Sequence, residues 1–320
     1  MDDFIYDLII VGGGPAGVAA GIYAARKKIK TVLVTDTFGG QSVVSDEIGN
    51  WIGEIKISGF DLAQKMEKHL KSFPEIKIDE NDLVVEIKPK EQKENSLPLF
   101  EVLTQNKKVF VTKTILLTCG SSRRKLNVLG EKEYEGRGVF YCATCDAPFF
   151  GGKDVAVVGG GNSALESVVD LSHYAKNIYL LVRSNLLKGD DLTQEMVYKD
   201  PKVKIIFNSE VQAILGDGKL VTGVKYLDKT TGKIEEIAVN GVFVEIGSVP
   251  NSGLVKNLVR VNEVGEIVVD HKTQKTSAPG IWAAGDVTDV LYKQNNISVG
   301  DAVKAVLNIY DYLKRQQNNK

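Results

Sequence analysis

Ile9-Ile10-Val11-Gly12-Gly13-Gly14-Pro15-Ala16-Gly17 returns 147 positions later as Ala156-Val157-Val158-Gly159-Gly160-Gly161-Asn162-Ser163-Ala164. Each copy is a short apolar strand, a glycine turn and then apolar residues at helical spacing: Val18, Ile22 and Ala25 in the first, Leu165, Val168 and Leu171 or Ser172 in the second. Each re-enters an apolar strand, Thr31 to Val34 and Ile178 to Val182. The reading is therefore a βαβ unit of the Rossmann kind, present twice.

The glycines have distinct tasks. Gly12 and Gly159 permit the tight turn, Gly14 and Gly161 let a pyrophosphate approach the backbone, and Gly17 lets helix and strand pack closely, with Ala164 as a small substitute. The phosphates then face a helix N-terminus, whose N–H groups and dipole favour anions. A glycine-rich turn without a nucleotide is the rival reading of either copy alone, and the matched context of both weighs against it. The residue that reads the ribose falls about 20 positions on. It is Thr35 or Asp36 in the first copy, and the same offset lands on Val182 and Arg183 in the second. A carboxylate suits ribose hydroxyls, whereas Arg183 with Ser184 and Lys188 offers donors for a 2′-phosphate, so the second site is expected to take NADPH, with a plain solvated loop as the alternative.

Outside the repeat, 320 residues leave room for about two domains. The 40 basic and 41 acidic side chains give a net charge of −1, which argues against a nucleic-acid or anionic-membrane partner. With 43% hydrophobic and 25% charged residues the composition is that of a soluble globular protein. The apolar runs, such as Ile9 to Val11 and Ile115 to Leu117, fall far short of the roughly 18 residues that span a bilayer. Asp2 and Asp3 stand where a secretory leader would be basic, so a cytoplasmic location is expected. Residues 86 to 110, with Lys88, Lys90, Lys93 and Lys108 among apolar Phe100, Val102 and Val109, read as a β-ribbon with a polar loop. Strands closing in glycine recur at Ile115 to Gly120, Val242 to Gly247 and Ile281 to Gly285. Turn-prone stretches at Ser121 to Lys125 and Ser248 to Ser252 read as linkers. The plan is a first domain, 1–121 and 251–320, interrupted by a second, 122–250. The first ends in a helix around Val299 to Leu313.

Of three cysteines, Cys142 and Cys145 form a C-x-x-C followed directly by Asp146. Two sulfurs at that spacing can form a disulfide, one thiol can be activated as a thiolate, and Asp146 could carry a proton. Half a zinc site is the rival, but zinc needs about two more ligands, and Cys119, His69, His173 and His271 are scattered. Cys119, at a strand end, reads as a small buried residue.

Gly12 to Gly17, Gly39-Gly40-Gln41, Asn50-Trp51, Cys142 to Asp146, Gly159 to Glu166 and Ala284-Gly285-Asp286-Val287 follow one another in an order that resembles the low-molecular-weight thioredoxin reductases of bacteria and archaea. The flavoprotein component of alkyl hydroperoxide reductase is nearly as similar. The resemblance covers essentially the whole chain. It implies an α/β fold of two Rossmann-like domains, the second inserted in the first, and a cytoplasmic homodimer without a metal. FAD would lie on Gly12, Gly14, Pro15, Ala16, Gly17, Thr35, Asp36, Gly40, Gln41, Asn50 and Gly120, with Gly285 and Asp286 at the ribitol and Gln294 and Asn295 beside the ring. NADPH, or NADH, would lie on Gly159, Gly161, Asn162, Ser163, Glu166, Arg183, Ser184 and Lys188, with Glu166 near the nicotinamide. Cys145 would exchange electrons with the flavin, Cys142 would attack the partner disulfide, and Asp146 would serve as acid/base.

The sequence departs from the family at the second nucleotide site. Where the family reads NADPH with His-Arg-Arg and a further Arg, this chain has Val182, Arg183, Ser184 and Lys188, so two of three arginines are missing. Ala147-Pro148-Phe149-Phe150 and Tyr292-Lys293-Gln294 look more like the hydroperoxide reductase flavoprotein, yet its N-terminal thioredoxin-like segment is not in this sequence. The expected cycle runs from NAD(P)H through FAD and the Cys142–Cys145 disulfide to a thioredoxin or a thioredoxin-like or glutaredoxin-like protein. A rotation about the two linkers would alternate dithiol and nucleotide at the flavin. The alternatives are a peroxiredoxin-pathway reductase, an enzyme fed by ferredoxin or another non-pyridine donor, and a non-catalytic flavin-binding redox sensor.

Overall fold

The run Ile5–Gly13 is apolar on both faces, as a strand with layers on either side must be, and it forms β1 at the centre of a seven-stranded sheet. Leu8 and Ile10 enter one core cluster and Ile9 and Val11 the other, so a single strand feeds both layers. In this computed structural model the described residues are 4–45, 48–90 and 98–318, and Asp2, Asp3 and Lys93 lie outside them. After β1 the first unit builds α1 (Pro15–Arg26), β2 (Thr31–Phe38), α2 (Gly59–Lys71), β3 (Lys77–Glu80), β4 (Val84–Lys90), β5 (Leu99–Thr104) and β6 (Val109–Leu117). The sheet order is β3-β2-β1-β6-β5-β4. β3, β2, β1 and β6 run parallel, with Leu8 opposite Thr31 and Ile9 opposite Ile115. β4 and β5 are the expected ribbon and join antiparallel.

The chain then forms β7 (Ser121–Arg123), β8 (Val139–Phe140), α3 (Ala143–Asp146), a 3-10 turn at Ala147–Phe150, β9 (Asp154–Val158), α4 (Asn162–Ser172), β10 (Asn177–Leu181), α5 (Asp191–Lys199) and β11 (Val203–Ile206). β12 (Ser209–Gly216), β13 (Val221–Asp228), β14 (Lys233–Ala238), β15 (Gly241–Val244) and β16 (Ser248–Pro250) follow. β11-β10-β9-β15-β8 is a parallel sheet. Val155 and Val157 of β9 pack with Leu165 and Val168 of α4 on one face. Ala156 and Val158 pack on the other with Val211, Ile214 and Val224 of the antiparallel β12-β13-β14 sheet. The second unit is therefore a Rossmann-like layer closed by a small β-sheet, which no motif in the sequence announces.

Back in the first unit, β17 (Ile281–Ala283) and α6 (Asn295–Asn318) complete the fold. β17 pairs with Ile115 to Leu117, while β5 occupies the N-terminal part of β6, so two strands share that edge. Trp282 is buried, and its indole N–H donates to Asn308 Oδ1 at 3.1 Å, satisfying the one polar atom that its burial would otherwise strand. The closing helix extends well beyond Val299 to Leu313 at both ends, and Ala302, Ala305, Val306 and Ile309 seat its middle on the core.

The compact units are 1–122 with 249–320, and 123–248. The stretches expected to be linker turns, Ser121 to Lys125 and Ser248 to Ser252, instead contain β7 and β16, which pair as a two-stranded ribbon. The crossing points therefore fall one residue later and two earlier than the expected 121 and 251 boundaries. Among the described residues no helix is long and apolar enough to cross a membrane.

Candidate active site

Four helices start after turns, and their N-termini differ in a telling way. Ser58 caps α2 by accepting from the Asp61 N–H, and Asp190 caps α5 by accepting from the Thr193 N–H, each such cap contributing about 1 kcal/mol. α1 and α4 begin at Gly14 and Gly161 with no side-chain cap and no acidic residue in the first turn. Those two ends keep the free N–H groups and positive dipole end that favour an anion.

The surrounding geometry explains each glycine. Gly12 has φ +111, and a side chain there would sit 2.7 Å from the Thr118 carbonyl oxygen. A Cβ on Gly17 would lie 1.8 Å from the Gly12 carbonyl oxygen, so helix and turn touch only because residue 17 is glycine. Gly159, with φ +153, faces the Glu245 carbonyl oxygen and the Ala164 Cβ, at 2.3 and 2.8 Å from where its own Cβ would be. Ala164 is tolerated in the last place because Gly159 leaves it room. The middle glycines are open by contrast: a Cβ on Gly14 would meet only the Gly40 Cα at 3.9 Å, and one on Gly161 would meet nothing within 4 Å. Protein packing does not demand these two glycines. A ligand approaching the backbone would.

The first turn opens into a cleft of about 830 Å³ within the first unit, ample for a large cofactor. Its walls include Gly12, Gly14, Pro15, Ala16, Thr35, Asp36, Gly40, Gln41, Gly120, Gly285, Asp286 and Asn295. Gly17 is packed behind the turn. Asp36 is exposed at the end of β2, whereas the buried Thr35 hydroxyl is occupied, donating to the Thr37 carbonyl at 2.6 Å. Gln41 donates to the Ser121 carbonyl. Asn295 and Ser42 bond each other, Asn50 Nδ2 donates to Gln294 Oε1 at 3.3 Å, and Asn296 donates to the Asn50 carbonyl at 2.8 Å. Asn50 and Gln294 thus form one polar cluster with the start of α6 but are not cleft walls. Ser298 donates to Asp286 Oδ1 at 3.3 Å. Sequence reasoning missed Ser42, Ser298 and Asn251 in this cleft, whose residue types carry no local signal.

Cys119, expected as a small buried residue, is half-buried and lines the cleft. Its Sγ donates to the Asn251 carbonyl at 3.3 Å, and burial pushes the thiol up to about 12, so it is an inert wall rather than a nucleophile.

In the second unit the loop after β10 folds onto the other glycine turn. The Lys188 N–H donates to the Gly160 carbonyl at 2.7 Å, and Asn162 Oδ1 accepts from the Asp190 N–H at 2.7 Å. Asn162, Ser163, Glu166, Arg183 and Lys188 are exposed. Ser184 is half-buried, and its hydroxyl donates to the Leu186 carbonyl at 2.8 Å, whereas Arg183 and Lys188 beside it are exposed.

Cys142 and Cys145 are joined in a disulfide, with Cys142 at the N-cap of the single-turn α3. Asp146 is buried at its end. Thr144, between the cysteines, donates to Asp170 Oδ2 of α4 at 2.9 Å, and Ala143 packs in the same core cluster as Ala164 and Leu165. The helix that carries the dithiol therefore rests on the helix that follows the second glycine turn. A residue that sequence reasoning missed lies there too: Glu245, just past β15, is buried and raised to about 7, chiefly by desolvation. A lone carboxylate in the apolar run Val242 to Ile246 was the signal that could have found it. Among the described residues no group of three or more His, Cys, Asp or Glu side chains is placed to hold a metal.

A family profile described as pyridine nucleotide-disulphide oxidoreductase matches residues 6–305. A Bacillus subtilis protein named NADH dehydrogenase is 42% identical over 310 residues, 97% of this chain and 59% of that protein. The F component of the alkyl hydroperoxide reductase of Pseudomonas putida is 41% identical over 315 residues, 97% of this chain and 58% of its own length. The chain thus spans under two thirds of these curated relatives. Among solved structures, a thioredoxin reductase from Streptococcus pyogenes superposes with TM-score 0.88 at 35% identity, covering 97% of this chain and 99% of that one. One from Giardia duodenalis gives 0.89 at 29% identity over the same shares.

Proposed function

The chain belongs to the pyridine nucleotide-disulphide oxidoreductase family, and from that premise we propose that it is an NAD(P)H-dependent FAD flavoprotein that reduces the disulfide of a thioredoxin or a thioredoxin-like protein. The observation that carries this reading is the Cys142–Cys145 disulfide seated on α4, the helix whose uncapped start follows the second glycine turn. The redox sulfurs on α3 and the second glycine turn before α4 are thereby carried by two helices that pack on each other.

The residues present fit both cofactors. The open Gly14, the uncapped α1 and the exposed Asp36 suit the pyrophosphate and ribose of FAD. Asp286, held by Ser298, and Asn295, held by Ser42, supply fixed polar groups for the remainder. Gly161 and α4 suit a second pyrophosphate, with Glu166 one turn along. Bound FAD would supply a two-electron carrier between nicotinamide and disulfide. The chain's own part is to hold both nucleotides, keep the two sulfurs within bonding reach, and manage protons: Cys142 and Cys145 each need one on full reduction, and the adjacent Asp146 is the group to carry it.

Arg183 and Lys188 favour NADPH, since each can add a charge-assisted hydrogen bond of about 1.5–3 kcal/mol to a 2′-phosphate. The relatives named for alkyl hydroperoxide reductase support a second reading, in which the final acceptor belongs to a peroxide-reducing pathway. The test is direct. The purified protein should release FAD on denaturation, be reduced by NADPH faster than by NADH, and drive disulfide reduction in a thioredoxin-family protein. Release of FMN or of no flavin would overturn the reading, and equal use of both nucleotides would overturn the NADPH preference.

A further inference from the structure

The loop that follows β10 is stitched to the small antiparallel sheet of the same unit. The Asn208 N–H donates to the Ser184 carbonyl and the Ser209 N–H to the Val182 carbonyl, each at 3.0 Å. The Asn208 carbonyl in turn accepts from the Lys229 N–H at 2.8 Å, and the Asn208 side-chain amide donates to the Thr230 hydroxyl at 3.4 Å. Lys229 and Thr230 lie in the turn between β13 and β14. That turn is itself fixed. Asp228 accepts from the Thr230 N–H at 2.8 Å and from the Thr231 hydroxyl at 2.9 Å, the local bonding by which an Asx turn holds its shape. The β13–β14 turn is therefore anchored, through Asn208, on the backbone of the loop that carries Arg183.

The Lys229 side chain reaches the same loop. Its Nζ donates to the Arg183 carbonyl at 3.2 Å. An ammonium has three donors, so this bond fixes the cation and leaves two donors for another acceptor. Lys229, like Arg183 and Lys188, is exposed. Among the described residues no carboxylate forms an ion pair with any of the three. The carboxylates nearest to them in sequence, Asp190 and Asp228, accept from backbone N–H groups of their own turns. Ser184 adds no donor, because its hydroxyl is turned to the Leu186 carbonyl. Cations brought together without a counter-charge repel one another, and a bound anion removes that repulsion.

We propose that Lys229 is a specificity-determining residue for the second nucleotide: with Arg183 it binds the 2′-phosphate of NADPH. The inference rests on the reading that the loop after β10 takes the adenosine end of that nucleotide. It gives the β12-β13-β14 sheet a task besides covering the core, since one of its turns supplies a charge that the loop itself lacks. NADH carries a hydroxyl in place of the 2′-phosphate and offers the ammonium no anion, so Lys229 acts on the choice between the two nucleotides and not on hydride transfer.

The test uses the full-length FAD-loaded protein, with anaerobic flavin reduction followed at increasing NADPH and, separately, NADH. Lys229→Gln, at an exposed position, should raise the half-saturating NADPH concentration by about three- to twentyfold, a range that runs from an exposed ion pair to a charge-assisted hydrogen bond. The half-saturating NADH concentration should stay within about twofold, and the limiting rate of reduction should not change with either nucleotide. Added salt should weaken NADPH binding less in this variant than in the wild type. Lys219→Gln, beyond the opposite end of β13, should match the wild type and so separates a local contact from the loss of any one surface charge. Unchanged NADPH dependence in Lys229→Gln, equal losses with NADPH and NADH, or the same loss in Lys219→Gln would overturn the proposal, while a wild-type preference for NADPH would leave the reading of the loop standing. A wild type that uses both nucleotides equally would overturn that reading and the proposal with it.

Discussion

Alanine at Gly161 and alanine at Gly159 should have opposite consequences, although the residues are two apart in one turn. Gly161 has φ −100, and its added methyl meets nothing within 4 Å. Alanine there fits without strain and trims the unfolded chain's freedom, for a stability change of about +0.4 to +1 kcal/mol. The same methyl projects where a pyrophosphate must approach the uncapped start of α4, so nucleotide affinity should fall at least about tenfold, or about 1.4 kcal/mol. Gly159→Ala combines a positive φ of 153 with a methyl 2.3 Å from the Glu245 carbonyl oxygen, a backbone atom that cannot swing away. Strain of about 1–3 kcal/mol and overpacking of a similar size make it a folding defect of about 2–5 kcal/mol. Urea unfolding measures the stabilities, and the dependence of anaerobic flavin reduction on NADPH concentration measures the affinity. Wild-type NADPH dependence in Gly161→Ala, or wild-type stability in Gly159→Ala, would refute the assignment of roles within the turn.

Glu245→Gln should also alter stability with pH. The carboxyl is raised from 4.5 to about 7 in the fold, so its favourable contribution is complete below about pH 4.5 and is lost as pH rises through about 7. At about pH 8 the neutral Gln variant should be more stable by up to about 3 kcal/mol, from 2.5 units at 1.36 kcal/mol each, and the difference should vanish near pH 4.5. A pH-independent difference in urea midpoint would contradict the burial argument. The two cysteines should fail differently: disulfide turnover is lost in both Cys142→Ser and Cys145→Ser, but only Cys145→Ser should be captured as a mixed disulfide by a thioredoxin-family protein. Equal capture of both would reverse or erase their assigned roles.

What the sequence could disclose was whatever local geometry dictates. Gly12, Gly17 and Gly159 are required by contacts a few residues away or by a positive φ, so the repeat located both turns, and the Cys142–Cys145 pair declared itself by spacing. The limits of α6 were harder, because its ends beyond Val299 and Leu313 are polar and no apolar periodicity marks them. β12, β13 and β14 went unread because their value lies in covering Ala156 and Val158 on a strand more than fifty positions earlier. Ser184 and Thr35 looked like ligand contacts by residue type, yet each hydroxyl turns to a carbonyl two residues away, a choice set by turn geometry. Glu245 was within reach, since a carboxylate in an apolar run calls for a partner when buried. The charges that bear on it, Arg123 of β7 and Glu166 of α4, come from elements that only the fold brings together.

The central claim is that flavin and dithiol form one electron path fed by a nicotinamide. Anaerobic reductive titration of the purified protein counts its redox centres directly. The account predicts uptake of about four electrons per FAD in the unmodified chain, two for the flavin and two for the Cys142–Cys145 disulfide, and about two in the Cys142→Ser/Cys145→Ser double variant. An uptake of only about two electrons by the unmodified, disulfide-bonded protein, unchanged in the double variant, would contradict it.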